Sequence, residues 1–131
     1  MSKVTAKELK KMQKKSGYEV EFGEWLELQR LQAKHGIVRY DYEPFSLELC
    51  PFNLVSKTTP TIYTPDFVVN LDVHGHKPRI YEVKGYVWSR DSVRLKWAAW
   101  RYGDKYDFFL VTKIKSGKHK GEWKIKRIGV K

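Results

Sequence analysis

Tyr63-Thr64-Pro65-Asp66-Phe67 and Tyr81-Glu82-Val83-Lys84-Gly85 are joined by a stretch carrying a turn signal, His74-Gly75-His76, flanked by residues that suit strands. A fold centred on Gly75 sets Asp66 opposite Lys84. Glu82, two residues from Lys84, then projects from the same face. The hairpin gathers two carboxylates and an ammonium on one side. Hard oxygen ligands for Mg²⁺ beside a cation are what metal-assisted attack on a phosphodiester requires. The plain alternative is an ordinary cross-strand Asp–Lys contact on a half-solvated sheet. The neighbouring residues bear on that choice. Phe67, Val69 and Leu71 share one face with Tyr81 and Val83, whereas Val68 and Ile80 lie on the acidic face. Apolar residues on both faces place the hairpin inside a domain, where unpaired carboxylates are costly and need a partner or a metal.

Pro65-Asp66 followed by Glu82-Val83-Lys84, with 15 residues between the two acids, resembles the signature of the PD-(D/E)xK nuclease superfamily. The longer strings, Tyr63 to Phe67 and Glu82 to Gly85, are similar to phage-encoded nucleases of the endonuclease I type, which cut branched DNA. The resemblance covers about Tyr18 to Val111. It implies an α/β fold: a single-domain restriction-endonuclease-like core with a central mixed β-sheet flanked by helices. It also implies a metal-dependent endodeoxyribonuclease using Mg²⁺, with Mn²⁺ able to substitute. Asp66, Glu82 and the backbone carbonyl of Val83 would be metal ligands. Lys84 would orient or help deprotonate the attacking water, or steady charge in the transition state.

The family pattern further implies an acid on the first helix. Ser16-Gly17 precedes a run from Tyr18 to His35 closed by Gly36, a good C-terminal stop. At helical spacing Val20, Glu24, Leu28 and Leu31 fall in one row, so Glu24 interrupts an apolar stripe. Such an acid is either a tolerated boundary residue or one held for chemistry. Glu24 is the favoured helix acid and Glu21, between Trp25 and Leu28, the second choice. Glu19 and Glu27 read as charges on a solvated face.

A chain of 131 residues has room for one domain with one core. Its 41% hydrophobic content, with many aromatics, argues against disorder. Lys and Arg number 26 against 15 Asp and Glu, a formal +11, which favours a polyanionic partner, most simply nucleic acid. Cys50 is the only cysteine, so no intrachain disulfide forms; a packed thiol in a reducing, cytoplasmic location is the natural reading (a bacterial host cell, if the chain is phage-encoded). No apolar stretch approaches the roughly 20 residues of a membrane span, so no membrane partner is expected. The lysine-rich residues 1–15 read as a basic arm, either a solvated tail or a DNA contact.

Between the first helix and the hairpin, Arg39 to Glu43 and Phe45 to Leu49 read as strand interrupted at Pro44. Ser89 could cap a helix from Arg90 to Tyr102 that ends at Gly103, with Val93, Trp97, Ala98 and Trp100 as its apolar side. Tyr106 to Thr112 is the strongest strand signal, and Glu122 to Ile128 suggests an edge strand. The resulting order, α-β-β-β-α-β-β, matches the nuclease core over residues 16–131. Arg90 and Arg94 on the second helix, and Lys113, Lys115, Lys118 and Lys120 in the following loop, are candidates for backbone phosphate contacts. The loop could equally be a soluble hairpin turn. His74 and His76 read as solvated residues at a hairpin tip. No zinc spacing or phosphate loop is present. A Mg²⁺-dependent DNA endonuclease is the leading expectation; selectivity for branched substrates as a homodimer is a further reading, carried mainly by the resemblance. The alternative is a nucleic-acid-binding module that does not cut, or a subunit of a phage or mobile-element DNA-processing assembly.

Overall fold

A computed structural model describes residues 17–50, 61–72, 75–85 and 89–129, the last segment with side chains from Val93 onward. The basic arm, His74 and the side chain of Arg90 lie outside the described residues. The elements are α1 (Gly17–Leu31), β1 (Ile37–Tyr42), β2 (Leu47–Cys50), β3 (Thr61–Tyr63), β4 (Phe67–Leu71), β5 (Arg79–Lys84), α2 (Ser89–Tyr102), β6 (Asp107–Lys113) and β7 (Trp123–Ile128). Five strands form one mixed sheet in the order β1-β4-β5-β6-β7, and β2 pairs with β3 in a separate small sheet. Among the described strands only the β5–β6 pair is parallel, and α2 makes the crossover between its strands.

The chain is therefore α/β with a central mixed sheet and two helices, as the sequence predicts, but the order of its elements differs. The stretch from Arg39 to Leu49 is not one interrupted strand. Pro44 lies at a corner where the chain leaves the main sheet after β1 and enters the small sheet at β2. A second corner, Thr64-Pro65-Asp66, returns the chain from β3 to the main sheet at β4, with Pro65 fully buried. The corners are tied together. Glu43 N–H donates to the Asp66 carbonyl at 2.9 Å, and the Ser46 and Thr64 hydroxyls lie 2.6 Å apart. Glu43 has φ 45°, a left-handed conformation that a non-glycine residue adopts only at a cost.

Each face of the main sheet is covered by its own apolar cluster. Phe22 and Leu26 of α1 pack on Tyr40, Tyr42, Phe67, Val69, Tyr81, Val83 and Val111. On the other face, Leu95, Ala98 and Ala99 of α2 meet Leu47, Leu49, Tyr63, Val68, Ile80 and Phe108. The hairpin faces fall as their alternation predicts, and burial on both sides explains the continuous run Phe67-Val68-Val69. Phe22 is fully buried against the rings of Phe67, Tyr81, Trp25 and Trp123; truncating such a side chain costs about 3–5 kcal/mol.

Both helices differ from the sequence reading in which face they bury. On α1 the buried residues are Glu19, Phe22, Gly23, Leu26 and Gln29, while Glu24, Leu28 and Leu31 are exposed. On α2 the small Ala98 and Ala99 lie inside with Leu95, and Val93, Trp97 and Trp100 face outward. The end of α1 also departs from expectation. The Lys34 and Ala33 N–H groups donate to the Gln29 and Arg30 carbonyls, and Ala33 takes the left-handed position at φ 54°. This is a Schellman stop with alanine where glycine is usual. Gly36 instead serves the entry to β1, where a Cβ would stand 2.8 Å from the Asp72 carboxylate. Cys50 is exposed at the end of β2, not packed, because Leu47 and Leu49 take the inward positions of that strand.

Candidate functional site: a buried acid cluster at one end of the sheet

The pairing Phe67↔Tyr81 and Val68↔Ile80 puts the axis of the hairpin one residue before Gly75. Continued by one pair, it sets Asp66 beside Glu82 and not opposite Lys84. The register therefore differs by two residues from the predicted one. A shift of two preserves the faces, so the three residues still meet. Asp66 stands just past the corner from the small sheet, where β4 ends its ladder with β5. Its Oδ2 accepts the Val83 N–H at 2.8 Å. Glu82 Oε1 accepts the Tyr63 hydroxyl at 2.8 Å, and Glu82 Oε2 lies 3.1 Å from Lys84 Nζ.

The third acid is Glu19. It lies on the buried side of α1, accepts a hydrogen bond from the Tyr42 hydroxyl at 3.1 Å, and is hydrogen-bonded to Asp66. Relative exposure is 9% for Glu19, 6% for Asp66 and 9% for Glu82. Three carboxylates thus share one dry region with Lys84. Burial pushes the Asp66 carboxyl well above its ordinary range, and the charges of Glu82 and Glu19 push it further; the Val83 N–H opposes them. Glu82 is also raised, chiefly by burial, against the pull of Lys84 and of the Tyr63 hydroxyl. The phenols beside the acids respond in the same sense. Tyr63 and Tyr42 are raised by burial first, then by Glu82 and Glu19 respectively.

Glu24, the favoured helix acid, is exposed and sits about 140° around the helix from Glu19 at 100° per residue. It is not brought to Asp66 and Glu82. Glu21 pairs with Lys113. Glu27 is no solvated charge either: it accepts from the Tyr40 hydroxyl at 2.9 Å and pairs with Arg30 at 2.8 Å. The signal for Glu19 was present in the row Glu19, Phe22, Leu26, Gln29, whose aromatic member buries more surface than any in the Val20 row. Tyr63 and Tyr42 carried no comparable signal, because their roles depend on the two-sheet corner.

Among the predicted phosphate-contacting residues, Lys113 and Lys115 lie at the end of β6 beside the chain that follows Lys84. Lys115 Nζ donates to the Gly85 carbonyl at 2.9 Å. Lys118 and Lys120 are exposed in the β6–β7 turn, Arg94 is exposed on α2, and His76 is exposed at the hairpin tip. A cavity of about 570 Å³, lined by Lys77, Trp100, Asp107 and Arg127 among others, lies at the opposite end of the sheet.

In kind, Asp66, Glu82 and Glu19 are the hard oxygen donors a divalent cation such as Mg²⁺ takes, and their excess negative charge favours one. Among the described residues no three acidic, histidine or cysteine side chains close into a ready-made cation cage. The acids are held to Val83, Tyr63, Tyr42 and Lys84 instead, with the Val83 N–H donating into the cluster. Among the described residues no helix is long and apolar enough to cross a membrane. No family model, curated protein or solved structure matches this chain.

Proposed function

We propose that this chain is a metal-dependent endonuclease acting on DNA, built on a restriction-endonuclease-like core. One observation carries the reading: three buried carboxylates, Glu19, Asp66 and Glu82, share a region with Lys84 in a chain of formal charge +11. A protein that only binds phosphates has no use for clustered acids that repel them. A divalent cation, Mg²⁺ or Mn²⁺, would be held by Asp66 and Glu82, and when bound it supplies Lewis-acid polarisation of the phosphate and a more acidic water.

The chain's own residues do the rest. Asp66 is fixed by the Val83 N–H, and Glu82 by the Tyr63 hydroxyl, so neither ligand must be ordered when substrate arrives. Lys84, drawn to Glu82, is placed to hold a water or to steady negative charge on the phosphate oxygens. Glu19, reaching the cluster from α1, takes the role the sequence reading gave to Glu24. Backbone-directed lysines favour selection by DNA shape over sequence, and paired cuts in a branched substrate would call for a symmetric dimer.

The test is a nicking assay on plasmid and four-way-junction DNA with Mg²⁺, Mn²⁺ or chelator. Asp66→Asn and Glu82→Gln should each lower cutting by orders of magnitude while DNA binding persists. Full cutting by either variant would overturn the assignment. Binding with no cutting under any divalent metal would favour the non-cleaving module instead.

A further inference from the structure

We infer that the groove between the start of α1 and the end of β6 is the seat of a backbone phosphate of the nucleic-acid strand, next to the one being cut, and that Glu21 occupies this seat when no strand is bound. The inference rests on the nuclease reading for its word "cut" and on separate residues for everything else. The groove encloses about 430 Å³ and is lined by Tyr18, Glu21, Lys113, Lys115 and Lys120, among others. Three lysines face one carboxylate.

Its place is set by the parallel strands. β5 and β6 both finish at this end of the sheet, with Lys84 paired to Thr112 and Lys113 next in line. Ligands of such sheets bind beyond the carboxyl ends of the strands. Gly85 is the hinge of the arrangement. A Cβ there would run into the Tyr18 ring, so only glycine lets that ring lie against the backbone that follows Lys84. Lys115 holds the Gly85 carbonyl at 2.9 Å and stands 5.6 Å over the Tyr18 ring. The groove is thus joined to the acid cluster by a single residue. The cluster repels phosphate, and a strand passing it needs cations on its flank; these lysines are the cations next to it.

Lys113 is engaged by Glu21 across the groove and stands 5.4 Å over the Trp123 ring. Both Lys113 and Glu21 are only partly shielded from water, so the pair can open to admit a phosphate oxygen in place of the carboxylate. An anionic side chain already paired with one lysine of the groove is the feature that identifies the chemistry of the guest. Substituting it and substituting a lysine should therefore move affinity in opposite directions.

The experiment measures anisotropy of a fluorescent oligonucleotide with unphosphorylated ends, in chelator, on full-length protein carrying Asp66→Asn so that nothing is cut. Glu21→Gln should tighten binding severalfold. Lys120→Ala should weaken it severalfold and reduce the salt slope by about one. Lys124→Ala, on exposed β7 and outside the groove, should change little. Equal losses for Lys120→Ala and Lys124→Ala, or no gain from Glu21→Gln, would overturn the seat. A gain or loss seen only with a 5′-phosphorylated oligonucleotide would overturn the internal phosphate in favour of a strand end. Wild-type cutting with Mg²⁺ is read separately: its absence alongside the opposite-signed affinities would remove the nuclease reading and leave the phosphate seat.

Discussion

The two ends of the five-stranded sheet both carry carboxylates, yet they solve opposite electrostatic problems. At the start of β6, Asp107 lies 3.1 Å from Arg127 and 3.7 Å from Lys77, so one acid has two cations at the margin of the 570 Å³ cavity. At the other end, three buried acids share a region with Lys84, and burial together with the neighbouring carboxylates raises the proton affinity of Asp66 and Glu82. The first arrangement is ordinary compensation and needs no function to explain it. The second is an excess of like charge in a dry place, which folding alone would not retain. Among the described residues, then, the larger cavity lies at the balanced end of the sheet and the imbalance of charge at the other.

The sharpest way to break this comparison is on α1, where two glutamates five residues apart face different surroundings. Glu19→Gln should lower metal-dependent cutting about 10–100-fold, the range for groups that support a metal site. Glu24→Gln should leave cutting unchanged and alter stability by no more than about 0.5 kcal/mol. Plasmid nicking rates and thermal melts of the two variants decide it. Loss of cutting in Glu24→Gln with normal cutting in Glu19→Gln would return the helix acid to the exposed row.

A smaller effect should appear in stability. For Asp66 and Glu82 the folded-state proton affinity is raised above the ordinary values of 3.8 and 4.5. The folded chain then binds more protons than the unfolded one, so this contribution is greatest at low pH. It is lost as pH climbs from those ordinary values through the raised folded ones. Asp66→Asn keeps an oxygen for the Val83 N–H and removes the charge. It should stabilise the protein at pH 8 by about 0.5–2 kcal/mol and flatten the decline with pH. Mg²⁺ should stabilise wild type more at pH 8 than at pH 5, and do little for the variant. Melting curves across pH, with and without Mg²⁺, test both statements. A wild type that gains stability between pH 5 and 8 relative to Asp66→Asn would mean the acids are compensated after all.

The same contrast explains what could be read from the sequence. Period-two alternation identified both faces of the β4–β5 hairpin, and a two-residue slip in register left them intact. Asp66, Glu82 and Lys84 were legible for that reason. The class of fold and β7 as an edge strand followed from local pattern too. The helix faces did not, because burial on α1 is decided by Phe22 docking among Phe67, Tyr81 and Trp123, which are distant in sequence. On α2 the sheet admits Ala98 and Ala99 at close range and leaves Trp97 and Trp100 outside. Hydrophobicity ranks those residues in the reverse order. The corners at Pro44 and Pro65, which bring Tyr63 to Glu82, depend on a second sheet that no short window reveals.

The smallest effect belongs to the balanced end. Asp107→Asn removes an acid whose cationic partners, Arg127 and Lys77, are both well exposed to water. Exposed pairs contribute between about 0 and 1 kcal/mol, because solvent screens the charges and ordering long side chains costs entropy. The substitution should therefore destabilise slightly, by less than about 1 kcal/mol, and the loss should shrink further in high salt. Its sign is opposite to that of Asp66→Asn, although both replace an aspartate by its amide beside the same sheet. Denaturant melts of the two variants, at low and high salt, supply the comparison. If Asp107→Asn stabilises the fold as Asp66→Asn is expected to, relief of net charge would no longer distinguish the two ends. The acid cluster would then lose its claim to be held against the fold's own preference.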